Sequence, residues 1–153
     1  MNTTENHDPF ALGGEQRDRT ALRERAEALA AEYDAPLAEG DAGLIEAEQR
    51  LHKLEPRRFA LREAGDILAD QEKAKGGRRL EIEAEIHDPP FNALCRLEEK
   101  IATTPAATLA GAAVKLRRLL DPDMGIEIGP GENDLPCLHQ ILAVIEREAR
   151  PSR

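Results

Sequence analysis

A seven-residue apolar repeat between Asp41 and Lys75 limits what this chain can fold into more than any other feature. Ala47, Leu54, Leu61 and Leu68 form one row. Leu44 and Leu51 form a second row, which continues less cleanly through Arg58 and Gly65. Residues with this spacing fall on one stripe of an α-helix, and another helix has to cover that stripe. The pattern predicts a long amphipathic helix of roughly 50 Å, at ~1.5 Å rise per residue. It predicts no reaction.

Composition agrees with a helical architecture. Ala, Leu, Glu and Arg dominate, with no Trp, one Tyr and three Phe in 153 residues. These are the residues of bundles and coiled coils, and the length suits one domain. The net charge is −9. Residues 1–40 hold nine acids and four bases, or −5, and the remainder holds 21 acids and 17 bases, or −4. A balance of this sign disfavours nucleic-acid backbones and anionic membrane surfaces as partners. Cys95 and Cys137 show no CxxC spacing. Cys95, between Leu94 and Leu97, reads as a reduced, half-buried packing thiol, and a Cys95–Cys137 disulfide stays open. The first ten residues carry no apolar signal core, and no run of eighteen apolar residues occurs. A cytoplasmic location is the resulting expectation.

The order of elements follows from punctuation. Residues 1–14, ending in Gly13-Gly14, read as a flexible arm. Residues 15–34 read as an accessory helix with Leu22, Ala26, Leu29, Ala30 and Tyr33 on one face, closed by Pro36 and Gly40. Asp41 is a plausible N-cap for the long helix, which Pro56 is expected to kink near Lys53–Glu55 or to split in two. Lys75-Gly76-Gly77-Arg78 is the sharpest turn signal and sends the next helix back antiparallel. In Arg79–His87 the apolar residues alternate with Glu81, Glu83 and Glu85, a strand-like period. Glu and Ala still favour helix there. Asp88-Pro89-Pro90 predicts a break or kink, with Asp88 capping a new turn, before a helix through Phe91, Leu94, Leu97 and Ile101. Thr103-Thr104-Pro105 stops it. Thr108 caps a helix to about Leu120, with Leu109, Ala112, Ala113, Leu116, Leu119 and Leu120 apolar and Lys115, Arg117 and Arg118 near the end that favours bases. Asp121–Asp134 reads as a loop whose Ile126 and Ile128 tuck onto the bundle. A last helix, Leu135 to Ala149 and capped by Asp134, would bury Leu135, Leu138, Ile141, Leu142 and Ile145. The tail from Arg150 reads as frayed.

No constellation here carries chemistry. Glu48 and His52 are four apart, as are Glu83 and His87, but an antiparallel hairpin about Gly76-Gly77 places His52 near Ile101 and His87 near Asp66. The two pairs would then lie roughly 20 Å apart or more, too far for one metal. His7 and His139 stand alone. Cys137 and His139 point about 200° apart on a helix and cannot act together. Ser152 is the sole serine. Gly13-Gly14, Gly76-Gly77 and Gly125–Gly131 lack the phosphate-loop pattern and read as turns. The basic doublets Arg57-Arg58, Arg78-Arg79 and Arg117-Arg118 all have acids close by, which argues against a nucleic-acid footprint.

Three stretches carry a resemblance: Asp41–Ile45 (DAGLI), Ala102–Arg117 (ATTPAATLAGAAVKLR) and Leu138–Arg147 (LHQILAVIER). Their order resembles a group of small helical proteins of alphaproteobacterial genomes, some in prophage-like neighbourhoods. The resemblance covers about two thirds of the chain and is most specific over Thr104–Lys115. It implies a helical hairpin followed by shorter helices and lends no residue a role.

The fold expected is all-α: a coiled-coil-like antiparallel hairpin packed with two shorter C-terminal helices, with residues 1–40 as an arm and 41–150 as the bundle. The function expected is a non-enzymatic interaction or structural protein without cofactor, metal or small-molecule substrate. It would self-associate or bind another protein through a seam of Leu44, Leu51, Leu54, Leu61 and Leu68. The alternative is an acidic inhibitor that mimics nucleic acid toward a basic protein, which would need an acidic face not neutralised by Arg.

Overall fold

The long helix runs without interruption from Gly40 to Ala74. Both heptad rows are buried along it: Leu44, Ala47, Leu51, Leu54, Leu61 and Leu68 are all less than 5 % exposed. Each fully buried leucine contributes about 2 kcal/mol of transfer free energy. The helix continues past Pro56, so the alternative of two helices split there does not hold. The computed structural model describes residues 14–74, 76, 79–121, 134–148 and 150. The arm before Gly14, the loop at 122–133 with Ile126 and Ile128, and the tail from 151 lie outside them.

Among the described residues, six α-helices and one π turn follow in order: α1 (Gly14–Asp34), α2 (Gly40–Ala74), α3 (Arg79–Ile82), the π turn (Glu83–His87), α4 (Asp88–Thr103), α5 (Leu109–Leu119) and α6 (Asp134–Glu148). No strand occurs among the described residues, so the alternating segment at 79–87 is helical. The chain reverses at Gly76, whose φ of 82° suits glycine and whose N–H donates to the Lys73 carbonyl at 3.1 Å. The hairpin register expected from the turn is found at His87, whose Nε2 lies 3.7 Å from Asp66 Oδ1.

The doublet Pro89-Pro90 does not break the return arm. It sits in the first turn of α4, immediately after the π turn. Neither proline has an N–H to donate, and a proline ring crowds the carbonyl four residues earlier. The wider π turn relieves that crowding: Asp88 N–H reaches back five residues to the Glu83 carbonyl. Asp88 caps nothing, because the residue before α4 is His87, in helical conformation and without a side-chain cap.

The helix at 14–34 is not an accessory. Leu22, Ala26, Leu29 and Tyr33 join the same core cluster as the α2 rows and Ile82, Ile86, Leu94, Leu97 and Ile101. α1 runs alongside the return arm in the same direction, held by Arg19–Glu85 at 2.9 Å near its start and by Arg96–Asp34 at 2.7 Å at its end. The three-layer arrangement α1, α2 and α3–α4 therefore closes the long stripe within one chain. The Arg50 guanidinium fixes the α1–α2 connection by donating to the carbonyls of Tyr33, Ala35 and Pro36.

Candidate interaction surface on α5 and α6

The five leucines put forward as an intermolecular seam lie inside the chain's own core. α1 and the return arm cover them, so no partner reaches them in this fold. A contiguous accessible apolar surface lies elsewhere, on the last two helices, and it arises from the orientation of α5.

Thr108 starts α5 as expected, its Oγ accepting from the Gly111 N–H at 3.3 Å. The helix then docks through polar groups. Asp41 of α2 accepts from the backbone N–H groups of Ala107 at 2.7 Å and Thr108 at 2.8 Å, and from the Thr108 hydroxyl. Asp41 therefore caps α5 rather than its own helix. These bonds, that of the Thr108 hydroxyl foremost, hold its carboxyl below the usual range. One heptad further along, Glu48 grips Arg117 at 2.6 Å. Lys115 is fully buried, and its Nζ donates to the carbonyl oxygens of Ile101 at 2.6 Å and Ala102 at 2.8 Å, at the end of α4. Burial pushes the Lys115 pKa down. Arg118, also buried, pairs with Glu98 of α4 and with Asp121. Burial lifts the Glu98 carboxyl upward, and Arg118 opposes that shift.

Two of the three bases expected on the outside of α5 are thus turned inward. Of the apolar residues named on α5, Ala112 and Leu119 are buried as expected, whereas Leu109, Leu116 and Leu120 are turned out, 53 %, 38 % and 59 % exposed. α6 shows the same offset. Its buried stripe is Cys137, Ile141 and Val144, while Leu138, Leu142 and Ile145 stand 41–50 % exposed. Of the stripe expected on α6, only Ile141 is seen buried, and the Leu135 side chain lies outside the described residues.

At about 100° per residue, the three exposed leucines of α5 fall within roughly 40° of arc, and the exposed trio of α6 within roughly 60°. On each helix the trio borders the residues through which α5 and α6 meet: Ala112 and Leu119 on one, Cys137, Ile141 and Val144 on the other. On α5 it lies across that contact from Lys115 and Arg118. On α6 it lies across from Gln140, whose side-chain oxygen is buried. The helices are antiparallel, since Arg147 near the end of α6 donates to the Ala107 carbonyl just before α5. Both trios therefore fall on the same side of the pair, facing away from α4. Six large aliphatic side chains form one continuous face of on the order of 500 Å², above a typical scatter of surface apolar groups.

The sequence held one signal of this. Cys137, Leu138, Ile141, Leu142, Val144 and Ile145 sweep roughly 160° of α6, wider than a single neighbouring helix covers. Other exposed apolar residues, such as Leu80 at 75 % and Ile67 at 57 %, lie on other helices.

A groove of about 320 Å³ opens beside the π turn, with Arg58, Arg62, Glu83, His87, Asp88 and Phe91 among its walls. Three of its side chains have local contacts. His87 Nε2 lies 3.2 Å from the Arg62 carbonyl oxygen, Glu83 pairs with Arg79 at 3.1 Å, and Arg58 stacks over Phe59 at 4.7 Å. Among the described residues, no three His, Cys, Asp or Glu side chains converge as metal ligands, and no helix is long and apolar enough to cross a membrane. Cys95 and Cys137 are separate thiols, and Cys95 is exposed on α4 rather than half-buried. No family model, curated protein or solved structure matches this chain.

Proposed function

We propose that this chain is a non-enzymatic interaction protein whose contact surface is the α5/α6 face. The observation that carries the reading is the rotation of α5, which takes two of its bases inside and leaves three leucines at the surface. A helix left to optimise its own fold buries its leucines and solvates its lysine and arginines. Here Lys115 and Arg118 are taken inside, with the desolvation that entails, while Leu109, Leu116 and Leu120 remain at the surface. Such an arrangement is favourable once the leucines are covered by a further protein surface.

The ionisable residues support the non-enzymatic part of the reading. Several are engaged at helix ends: Asp41 at the start of α5, Lys115 at the end of α4, Arg50 at the end of α1. The nucleic-acid mimic is not favoured, because acids that would form its face are paired: Asp34 with Arg96, Glu85 with Arg19, Glu48 with Arg117, and Glu32 with Arg57.

Carbene footprinting of the full chain, purified and with whatever co-purifies, tests the reading. The six face residues should label markedly less than Leu80 and Ile67, which serve as internal controls of comparable or greater exposure. Labelling of the face in step with those controls under both conditions overturns it.

A further inference from the structure

We infer that the occupant of the α5/α6 face is a second copy of this chain, seated on the same face by a two-fold axis. The inference rests on the reading of that face as the contact surface and adds the identity of the partner.

Area is the first argument. About 500 Å² on each copy removes about 1,000 Å² when two copies meet, the size at which specific association begins. The face reaches that size without recruiting any other part of the molecule.

Shape is the second. Each helix of the antiparallel pair offers three large aliphatic side chains. A half-turn about an axis along the pair lays α5 of one copy on α6 of the other, and α6 on α5. A stripe of three then meets a stripe of three at both contacts. Every neighbouring pair of helices in the resulting four-helix layer is antiparallel, a stable bundle geometry in an isologous contact.

Charge is the third. A chain at −9 repels its copy at long range. The six side chains of the face are uncharged; Lys115 and Arg118 point away from it to the α4 carbonyls and to Glu98, and Arg117 beside it is paired with Glu48. None of these three bases brings an unpaired charge into the contact.

Residues 122–133, which join α5 to α6, are the rival within the chain.

Sedimentation velocity of the full chain, from low to high micromolar, decides between them, with circular dichroism as the check on folding. The wild type is expected at twice the 16.8 kDa chain mass, and Leu138→Glu/Leu142→Glu at one chain mass with unchanged helicity. A wild type that stays monomeric throughout overturns the second copy. If its face is nonetheless protected in a complex with another protein that the glutamate pair abolishes, the contact-surface reading survives alone. A dimer that persists in the glutamate pair overturns the second copy on this face. A monomeric wild type whose glutamate pair loses helicity points to cover by residues 122–133 and overturns both readings. Should the pair fail to fold from a dimeric wild type, Leu138→Ala/Leu142→Ala reads the same question. Its dimer dissociation constant should rise about tenfold or more, and an unchanged constant overturns the inference.

Discussion

The ammonium of Lys115 lies 2.6 Å from the carbonyl oxygen of Ile101 and reaches Ala102 as well, so a residue of α5 closes the end of α4. The last carbonyls of a helix have no partner within it, and a cation there is favoured by the aligned peptide dipoles. This contact couples the orientation of α5 to the hairpin. Replacing the lysine by a side chain of similar bulk and no charge leaves both carbonyls without that donor. Lys115→Met should therefore cost about 1–2 kcal/mol, read as a lower urea midpoint. The pH dependence has a definite sign. Burial holds the folded pKa below the ordinary lysine value of 10.5, so the unfolded chain binds more protons in the window just below that value. The Lys115 contribution to stability therefore rises with pH through that window. The gap between wild type and variant should widen from neutral to alkaline pH in paired urea titrations, and a gap that narrows counts against the assignment.

Asp41 makes the complementary contact at the other end of the connection. Its carboxylate accepts two backbone N–H groups and the Thr108 hydroxyl at the start of α5, where the dipole favours a negative charge. Asp41→Asn should cost about 1 kcal/mol at neutral pH, the usual worth of a helix cap. The folded pKa is depressed, so this stability is present above the ordinary carboxylate range and is lost as pH falls through the folded value. Thermal melts of wild type and variant should differ near neutrality and converge in acid. Curves that stay parallel down to low pH would place the contribution elsewhere.

The hairpin was legible because its signals are local. The rows at Ala47 and Leu44, the Gly76 stop and the Thr108 cap each act within a few residues of chain, and each is found where the spacing put it. The face of α1 was legible for the same reason, though its membership of the core was not. Leu22, Ala26, Leu29 and Tyr33 read as the modest face of an accessory helix, and only the folded chain shows all four in one core with the α2 rows. The orientation of α5 was hidden because it depends on partners far along the chain. Nothing near Lys115 announces that the Ile101 carbonyl needs a donor, and nothing near Glu48 announces Arg117. A pattern that ranks side chains by hydropathy turns Leu109 and Leu116 inward by default. The π turn was hidden too, since Pro89-Pro90 reads as a break unless a wider turn is ready to precede it.

Gly65 packs against that π turn at close range. A Cβ built there would lie 2.6 Å from His87 Nε2 and 3.1 Å from Ile86 Cγ2. Ile86 is fully buried, and the His87 ring is held near the Arg62 carbonyl. Alanine gains up to about 1 kcal/mol of helix propensity over glycine, but the overlap should cost more, about 2 kcal/mol for an overpacked contact. Gly65→Ala is therefore expected to destabilise, and His87→Ala in the same chain to recover most of the loss by removing the nearer atoms. A double-mutant cycle from urea midpoints reads this coupling directly. A stabilised Gly65→Ala, or a double variant no better than the single, would contradict the packing described.

Leu54 and Leu142 separate the core from the face. Leu54 is 2 % exposed between α1 and the return arm, whereas Leu142 is 50 % exposed on α6. Truncating a buried leucine removes its transfer free energy and leaves a cavity, so Leu54→Ala should cost about 2–5 kcal/mol. An exposed leucine in a monomer costs within about 0.5 kcal/mol when truncated. The two positions also respond differently to protein concentration. If Leu142 is covered by association, the cost of Leu142→Ala grows as concentration rises, because association stabilises only the form that retains the leucine. The cost of Leu54→Ala stays constant over the same range. Thermal melts of both variants across a wide concentration series check the pair of expectations. A Leu142→Ala cost that is large and independent of concentration would place that side chain inside the single chain's own core.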